Sequence, residues 1–283
     1  MGAPFAFIGF GEAGIAFAGG APARGYDRKT DSEATRAAKL ADFSAADVAA
    51  CLSAAEALDG AGAVLSLVTA DQALAAAVTA APCLDPGALW FDMNSVAPDT
   101  KRAAAAAIDA AGGRYVDVAV MSPVHPARLA TPLLVSGSHA EQGAASLAAF
   151  GFTHVTIVPG PVGTASSIKM IRSVMVKGLE ALTAECFLAA DAAGVTDAVR
   201  ASLNAGWPGT DWAEKADYNL ERMMAHGIRR AAEMEEVVKT LDALGTGAAM
   251  TRGTIERQRA IGALGIAAPP TLAAKIQAIR GAA

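Results

Sequence analysis

The stretch Phe5-Ala6-Phe7-Ile8-Gly9-Phe10-Gly11-Glu12-Ala13-Gly14 decides how the chain reads. Four consecutive apolar residues make a short buried strand. Gly9, Gly11 and Gly14 follow as G-x-G-x-x-G, and residues 12–20 continue as a helix. The spacing alone carries little weight in a chain with 28 glycines. Its position between strand and helix gives it meaning. There the first glycine makes a tight turn, the second lets backbone approach a pyrophosphate, and the third lets the helix pack on the strand. The helix N-terminus then faces the phosphates. A glycine-rich turn in an ordinary α/β domain is the competing reading, and the flanking elements weigh against it.

Working outward, Ala23 to Tyr26 reads as a second strand that ends at Asp27, 18 residues after Gly9. An acidic residue at that place recognises the ribose of a dinucleotide. Asp27 repels a 2′-phosphate and points to NAD, whereas Arg28 and Lys29 attract one and point to NADP. The balance tips to NAD. Further strand-like runs lie at 63–68, 88–91, 114–118, 133–135 and 155–158, with alanine-rich helical stretches such as 71–81 and 99–111 between them. Alternating β and α runs predict a doubly wound parallel sheet with helices on both faces, that is, a Rossmann domain over 1–160. The cofactor set read from this half is Gly9, Phe10, Gly11, Glu12, Ala13, Gly14, Asp27, Arg28, Lys29, Val68, Thr69, Asn94 and Ser95.

After Pro159-Gly160-Pro161-Val162-Gly163 the pattern changes to helix throughout, which predicts an all-helical domain over 161–283. A first long helix runs to about Gly194, and Ile168, Ile171, Met175, Leu179, Leu182 and Cys186 form one apolar stripe on it. Further helices are expected at 196–205, 210–224, 228–244, 247–262 and 270–280.

Composition narrows the function. The 283 residues are 53% apolar and 18% charged, so a large core is expected and disorder is not. Net charge is −5 and no Lys/Arg block suggests a nucleic-acid surface. Cys51, Cys83 and Cys186 stand far apart, without metal spacing, and suit a reducing compartment. Glu12 inside the first apolar run and the lack of a positive start argue against a signal peptide. Asp71 and Pro82 interrupt the apolar residues 60–84, so no membrane span is expected and the expected location is the cytoplasm.

Four motifs in order give the chain a family likeness. They are the glycine loop at 9–14, Asp92-Met93-Asn94-Ser95-Val96-Ala97-Pro98, Asp117-Val118-Ala119-Val120-Met121-Ser122-Pro123, and Gly163 followed by Lys169. The chain resembles the β-hydroxyacid dehydrogenases, the group that includes hydroxyisobutyrate and 6-phosphogluconate dehydrogenases and, more distantly, imine reductases. Its second half looks like that of a phosphogluconate-dehydrogenase-like branch. The likeness spans nearly the whole chain.

The resemblance implies that Ser95 sits near the nicotinamide and its ribose, and that Lys169 donates or accepts the proton that accompanies hydride transfer. It also implies a homodimer formed by the helical domain. In the family, D-x-P-V-S-G-G grips a substrate carboxylate through hydroxyl and backbone N–H groups. Met121-Ser122-Pro123 replaces Ser-Gly-Gly here, and proline has no N–H to offer. Where the family's lysine motif continues with two asparagines, this chain has Arg172 and Ser173.

Lys169, Arg172, Ser173 and Glu180 fall within about 100° of arc on a helix, opposite the apolar stripe. A lysine on such a face is ordinarily a solvated charge. Its place just after the domain boundary and in the family slot favours proton transfer. Arg172 either lowers the lysine pKa by like charge or binds a substrate carboxylate in place of the lost Ser-Gly-Gly grip, and the second is preferred. Met121, Ser122, Arg172, Ser173 and Arg229 form the substrate set, Arg229 also being readable as an i,i+4 partner of Glu233.

His226-Gly227-Ile228-Arg229-Arg230 is expected to open a helix. Trp207, Trp212 and Tyr218 read as core or subunit interface. No metal constellation appears. The reading is an NAD(P)-dependent oxidoreductase acting on a small, anionic hydroxy acid or related alcohol. An imine reductase and a non-catalytic dinucleotide sensor are the alternatives.

Overall fold

The structure is a computed structural model that describes residues 5–282. The chain forms two compact units, residues 1–170 and 171–283. In the first, the elements run β1 (Phe5–Ile8), α1 (Glu12–Phe17), β2 (Ala23–Tyr26), α2 (Glu33–Ala45), β3 (Ala49–Ala50), α3 (Ala54–Leu58), β4 (Ala63–Ser66), α4 (Ala73–Ala80), β5 (Leu89–Asp92), α5 (Pro98–Ala110), β6 (Arg114–Val120), β7 (Leu133–Ser136), α6 (Ala140–Phe150) and β8 (Val155–Ile157). Then α7 (Thr164–Ala192) runs through the residues at which the two units divide.

The eight strands form one sheet in the order β3-β2-β1-β4-β5-β6-β7-β8. The chain returns from β3 to the far side of β1, so the sheet is doubly wound and a crevice opens between the ends of β1 and β4. The strands are nearly continuous apolar runs because both faces are buried. Successive residues serve opposite faces. Phe7, Leu65, Phe91 and Val116 pack with Phe17, Phe43, Leu147 and Phe150 of α1, α2 and α6. Ala6, Val64, Trp90 and Tyr115 pack with Leu58, Ala77 and Ile108 of α3, α4 and α5.

Two details differ from the sequence reading. The β6–β7 pair is antiparallel, with Asp117 opposite Ser136; the connection over 121–132 carries only one short 3-10 turn and no crossover helix, so the chain folds back beside β6. The elements α2, β3, α3 and α6 are not delimited by periodicity. The exposed side of α2 carries most of its sequence, and Phe43 and the aliphatic stem of Lys39 anchor it.

The second unit is helical, as the second half of the sequence requires. After the rest of α7 come α8 (Thr196–Gly206), α9 (Trp212–Ala243), α10 (Ala249–Ala263) and α11 (Leu272–Ala282). Asp211 caps α9 by accepting from the N–H groups of Ala213 at 2.8 Å and Glu214 at 3.4 Å. The expected break between 224 and 228 does not occur. Gly227 lies inside α9, where its missing side chain admits the backbone of α10: a Cβ there would stand 2.3 Å from the Gln258 carbonyl oxygen. Expected at a helix start, the residue is instead a mid-helix packing contact.

The faces of α7 depart in part from the expected ones, with Arg172 exposed and Lys169, Leu179 and Cys186 half-buried. Ile168, Ile171, Met175 and Leu182 of the apolar stripe are exposed, while Ser173, Lys177, Glu180 and Thr183 are buried. Three of these groups pair inside the second unit: Lys177 with Glu233 at 2.7 Å, Glu180 with Arg230 at 2.7 Å, and Thr183, which accepts from Asn219 at 3.0 Å.

Candidate functional site

The parallel strands β1, β2, β4, β5 and β6 end along one edge of the sheet, and the residues singled out in the first half gather there. Gly9 closes β1 at φ +86°, in the left-handed region, and a Cβ on it would stand 2.6 Å from the Leu67 carbonyl oxygen. Only glycine fits. A Cβ on Gly14 would press on the Phe10 ring at 2.9 Å. Phe10 is buried, stacked on Phe43 with ring centroids 4.1 Å apart.

The backbone of Phe10 is held on both sides. Its N–H donates to Asp27 Oδ2 at 2.7 Å, and its carbonyl accepts from Lys39 Nζ at 2.7 Å. Gly11, the N-cap of α1, is exposed and has nothing within 4 Å of an added Cβ. The loop is therefore pinned from within and bare outside. That is the cradle a pyrophosphate requires, with exposed Glu12 and half-buried Ala13 beside it.

Asp27 follows β2. Its Oδ1 accepts from Lys29 N–H at 2.9 Å, so both carboxylate oxygens already bind backbone donors. Arg28 and Lys29 are exposed, and Arg28 Nη1 donates to Gln72 Oε1 at 2.7 Å. Tyr26 donates to Asp31 at 2.6 Å. Burial and that carboxylate push the Tyr26 hydroxyl up to about 12. Val68 and Thr69 follow β4 on the neighbouring strand end, Val68 half-buried and Thr69 exposed.

The end of β5 carries Asn94 and Ser95. Asn94 N–H and Nδ2 both donate to Asp92 Oδ1, at 3.0 and 2.8 Å, and Nδ2 also reaches Ser66 Oγ at 3.1 Å. Because Asp92 only accepts, the amide orientation is fixed. This leaves Asn94 Oδ1 buried without a hydrogen bond from any described residue. Such an atom suits a donor from a ligand. Lys169, half-buried on the second turn of α7, donates to Ser95 Oγ. The structure thus brings together the two residues that the motifs placed 74 positions apart.

At the end of β6, Met121 and Ser122 are half-buried, and Ser122 Oγ donates to the Pro123 carbonyl at 3.2 Å. Deeper in the same strand lies a cluster the sequence reading missed. Lys101 of α5 is wholly buried, 3.0 Å from Asp92 Oδ1 and 3.5 Å from Asp117 Oδ1. Tyr115 donates to Asp92 Oδ2 at 2.6 Å. Burial and the Asp92 carboxylate hold the Tyr115 hydroxyl well above its ordinary value. Asp117 Oδ2 accepts from Gly163 N–H, Ser166 N–H and Ser166 Oγ at 3.0–3.2 Å, which caps α7. Asp92 and Asp117 belong to the quoted motifs. Lys101 carries no sequence signal, because a lysine in an alanine-rich helix reads as solvated.

In the second unit Ser173 is buried, while Arg172 and Arg229 are exposed. Glu180, expected on the functional face, lies instead in the core of that unit. It accepts from Arg230 Nη1 at 2.7 and 2.8 Å and from Gln258 Nε2 at 2.8 Å. Burial raises its carboxyl above the ordinary range despite that arginine, and burial lowers Arg230. Arg230 is committed to this pair. His226 and Gly227 lie in mid-helix, not at a helix start. Trp207 and Trp212 meet edge to face at 5.6 Å. Trp207 and Tyr218 are exposed, so they do not pack in a core of the chain. His125 is exposed as well. Among the described residues no group of His, Cys, Asp and Glu is placed to hold a metal, and no helix is long and apolar enough to cross a membrane.

Comparison with known proteins agrees with this geometry. Residues 4–151 match the family described as the NAD binding domain of 6-phosphogluconate dehydrogenase. Residues 190–261 match a domain of unknown function, DUF1932. No curated protein matches. Among solved structures, a conserved hypothetical protein from Sinorhizobium meliloti is 38% identical over 100% of this chain and 97% of its own, with TM-score 0.78. The conserved protein MTH1747, described as structurally similar to 3-hydroxyacid dehydrogenases, is 26% identical over 99% of this chain and 98% of its own, with TM-score 0.70. The 3-hydroxyisobutyrate dehydrogenase of Mycobacterium tuberculosis is 19% identical over 99% and 100%, with TM-score 0.75.

Proposed function

The chain belongs to the β-hydroxyacid dehydrogenase family, and from that premise we propose that it is an NAD(P)-dependent oxidoreductase acting on a small hydroxy acid or related alcohol. The observation that carries the proposal is the hydrogen bond from Lys169 to Ser95, at the sheet edge that also bears the glycine loop. Residues 1–160 are assigned to cofactor binding and residues 161–283 to substrate binding and dimerisation.

When bound, the nicotinamide supplies or accepts the hydride. The protein supplies geometry and the proton. The bare backbone at Gly11, the orphan Oδ1 of Asn94 and the side chains of Val68, Thr69 and Ser95 are the groups that would hold the dinucleotide. Lys169 Nζ gives a proton to the substrate oxygen or takes one from it, and Ser95 Oγ aims it. Ser122 and Met121 contact substrate. Arg172, Ser173 and Arg229 are assigned to its anionic group, a role that Pro123 cannot fill. A lysine at this position weighs against an imine reductase.

For the cofactor, the arrangement at Asp27 favours NADP over the NAD suggested by sequence. Each carboxylate oxygen is already engaged by a backbone N–H, and two exposed cations follow. A 2′-phosphate gains charge-assisted hydrogen bonds from them. The exposed stripe Ile168, Ile171, Met175 and Leu182 is the surface we assign to a homodimer.

The test is a nicotinamide-reduction screen over hydroxy acids, aldonates and aromatic β-hydroxy compounds, with NAD and NADP in parallel. Wild type should turn over at least one class, and Lys169→Ala should lose about 10²–10⁴-fold in kcat. No turnover by wild type, or equal turnover by Lys169→Ala, defeats the proposal. Dinucleotide binding without any turnover would establish the sensor reading.

A further inference from the structure

Two segments must stay in register for Lys169 to meet Ser95: the turn after β5 and the first turns of α7. One buried network joins them. Asp92 Oδ1 accepts from both Asn94 nitrogens and so fixes the turn that presents Ser95. Asp117 Oδ2 accepts from Gly163 N–H, Ser166 N–H and Ser166 Oγ, and from Ser136 Oγ at 3.1 Å, and so fixes the start of the helix that presents Lys169. Lys169 is three residues beyond Ser166, less than one helical turn.

Lys101 stands between the two carboxylates, fully buried, and also donates to the carbonyls of Asp92 and Val118. Two carboxylates and one ammonium leave one net negative charge inside the protein. The N-terminus of α7, with its dipole and open N–H groups, offsets that charge at Asp117. The Tyr115 hydroxyl offsets it at Asp92. Without Lys101 both carboxylates lack their cation, and only the backbone ladder of β5 and β6, in which Asp92 and Asp117 are register partners, still couples the β5 turn to the α7 start.

We propose that Lys101, bridging Asp92 and Asp117, is a positioning residue that holds Lys169 against Ser95. It touches neither substrate nor cofactor. The proposal rests on the proton-transfer role given to Lys169 above.

Lys101→Met strands two buried carboxylates and can unfold the protein. The charge-balanced pair Asp117→Asn/Lys101→Met, which keeps the same net buried charge and leaves Asp92 to hold Asn94, is therefore made beside it. Three quantities are read in each folded variant: NADPH affinity by fluorescence, kcat and KM against pH, and acetic anhydride labelling of Lys169 against pH. The labelling is read by peptide mass spectrometry with exposed Lys215 as internal reference.

The expected result is unchanged NADPH affinity, unchanged KM, a fall in kcat of about 10²-fold, and a Lys169 labelling rate altered about threefold or more relative to Lys215. A folded variant with wild-type kcat and a wild-type labelling profile overturns the proposal. So does unfolding of both variants, which assigns the network to folding alone, or loss of NADPH affinity in step with kcat, which assigns it to the cofactor site. If wild type turns over no substrate, the function proposed above fails while the labelling comparison still decides this point.

Discussion

Replacing Gly227 by alanine sets two known effects against each other. In a helix interior, alanine is better than glycine by about 0.8–1.0 kcal/mol. Propensity alone therefore predicts a stabilised α9. The structure predicts the opposite. The new Cβ would stand 2.3 Å from the Gln258 carbonyl oxygen and 2.8 Å from Gly262 Cα, both backbone atoms of α10 that cannot rotate aside. Ordinary carbon–oxygen contact begins near ~3.3 Å, so the two helices must separate by about 1 Å. A gap of that size forfeits up to about half of each dispersion contact it opens. It would open them along Thr254, Ile255, Gln258 and Ile261, which are buried on α10. It would also stretch the 2.8 Å bond from Gln258 to Glu180.

Overpacking of this kind costs about 1–3 kcal/mol, and against backbone the upper half applies. Net destabilisation should be about 1–2 kcal/mol, a drop in Tm of roughly 2–8 °C at about 2–4 °C per kcal/mol. Thermal and urea melts followed by circular dichroism measure it. Gly253 of α10 is the control: it is exposed, with nothing within 4 Å of an added Cβ, so Gly253→Ala should gain about 1 kcal/mol. A rise in Tm for Gly227→Ala matching that of Gly253→Ala would refute the close-packing argument.

Three more outcomes are expected. Arg28→Ala should weaken NADP binding by about 10- to 100-fold, the worth of one or two charge-assisted hydrogen bonds, and leave NAD binding nearly unchanged in parallel fluorescence titrations; equal losses would return the preference to NAD. Burial raises the Glu180 carboxyl above its ordinary 4.5, so the folded state keeps a proton that the unfolded chain has released. Stability from this group is full below pH about 4.5 and is lost as pH rises through the folded value. The urea midpoint of wild type should therefore rise relative to Glu180→Gln as pH is lowered from 7 towards 4.5, and a flat difference would remove burial as the cause. Met175→Asp should convert a wild-type dimer to monomer in sedimentation velocity, a test that a monomeric wild type would fail at once.

Much of the first unit was legible because its signals are local. A strand of four apolar residues, a glycine at φ +86° and an acidic residue 18 positions on need only a few neighbours to be understood. The role of Asp27 was less legible. Its identity suggested ribose recognition, whereas its hydrogen bonds to Phe10 and Lys29 depend on a loop and a short turn that only the folded chain supplies. Gly227 failed for the same reason: a glycine in a helical run reads as a helix boundary unless the backbone across from it is known.

The long helix α7 shows the limit most clearly. Periodicity marks an apolar stripe, yet four of its six residues are exposed, while Ser173 and Glu180 of the polar set are buried and Arg172 of that set is exposed. An apolar stripe is buried when nothing polar competes for the interior. In the second unit Glu233, Arg230, Gln258 and Asn219 provide partners that make Lys177, Glu180 and Thr183 the buried side. Those partners lie 36 to 78 residues away from the groups they hold, beyond any window of pattern reading. The same logic hides Lys101, whose carboxylate partners sit on two strands and whose helix looks like any alanine-rich surface element. In both places the informative residue is a buried charge, and a buried charge can be recognised only from its counterion. The exposed face of α7 then acquires its meaning by exclusion: Ile168, Ile171, Met175 and Leu182 are exposed on the chain itself, so a second copy of the chain is the surface proposed to cover them.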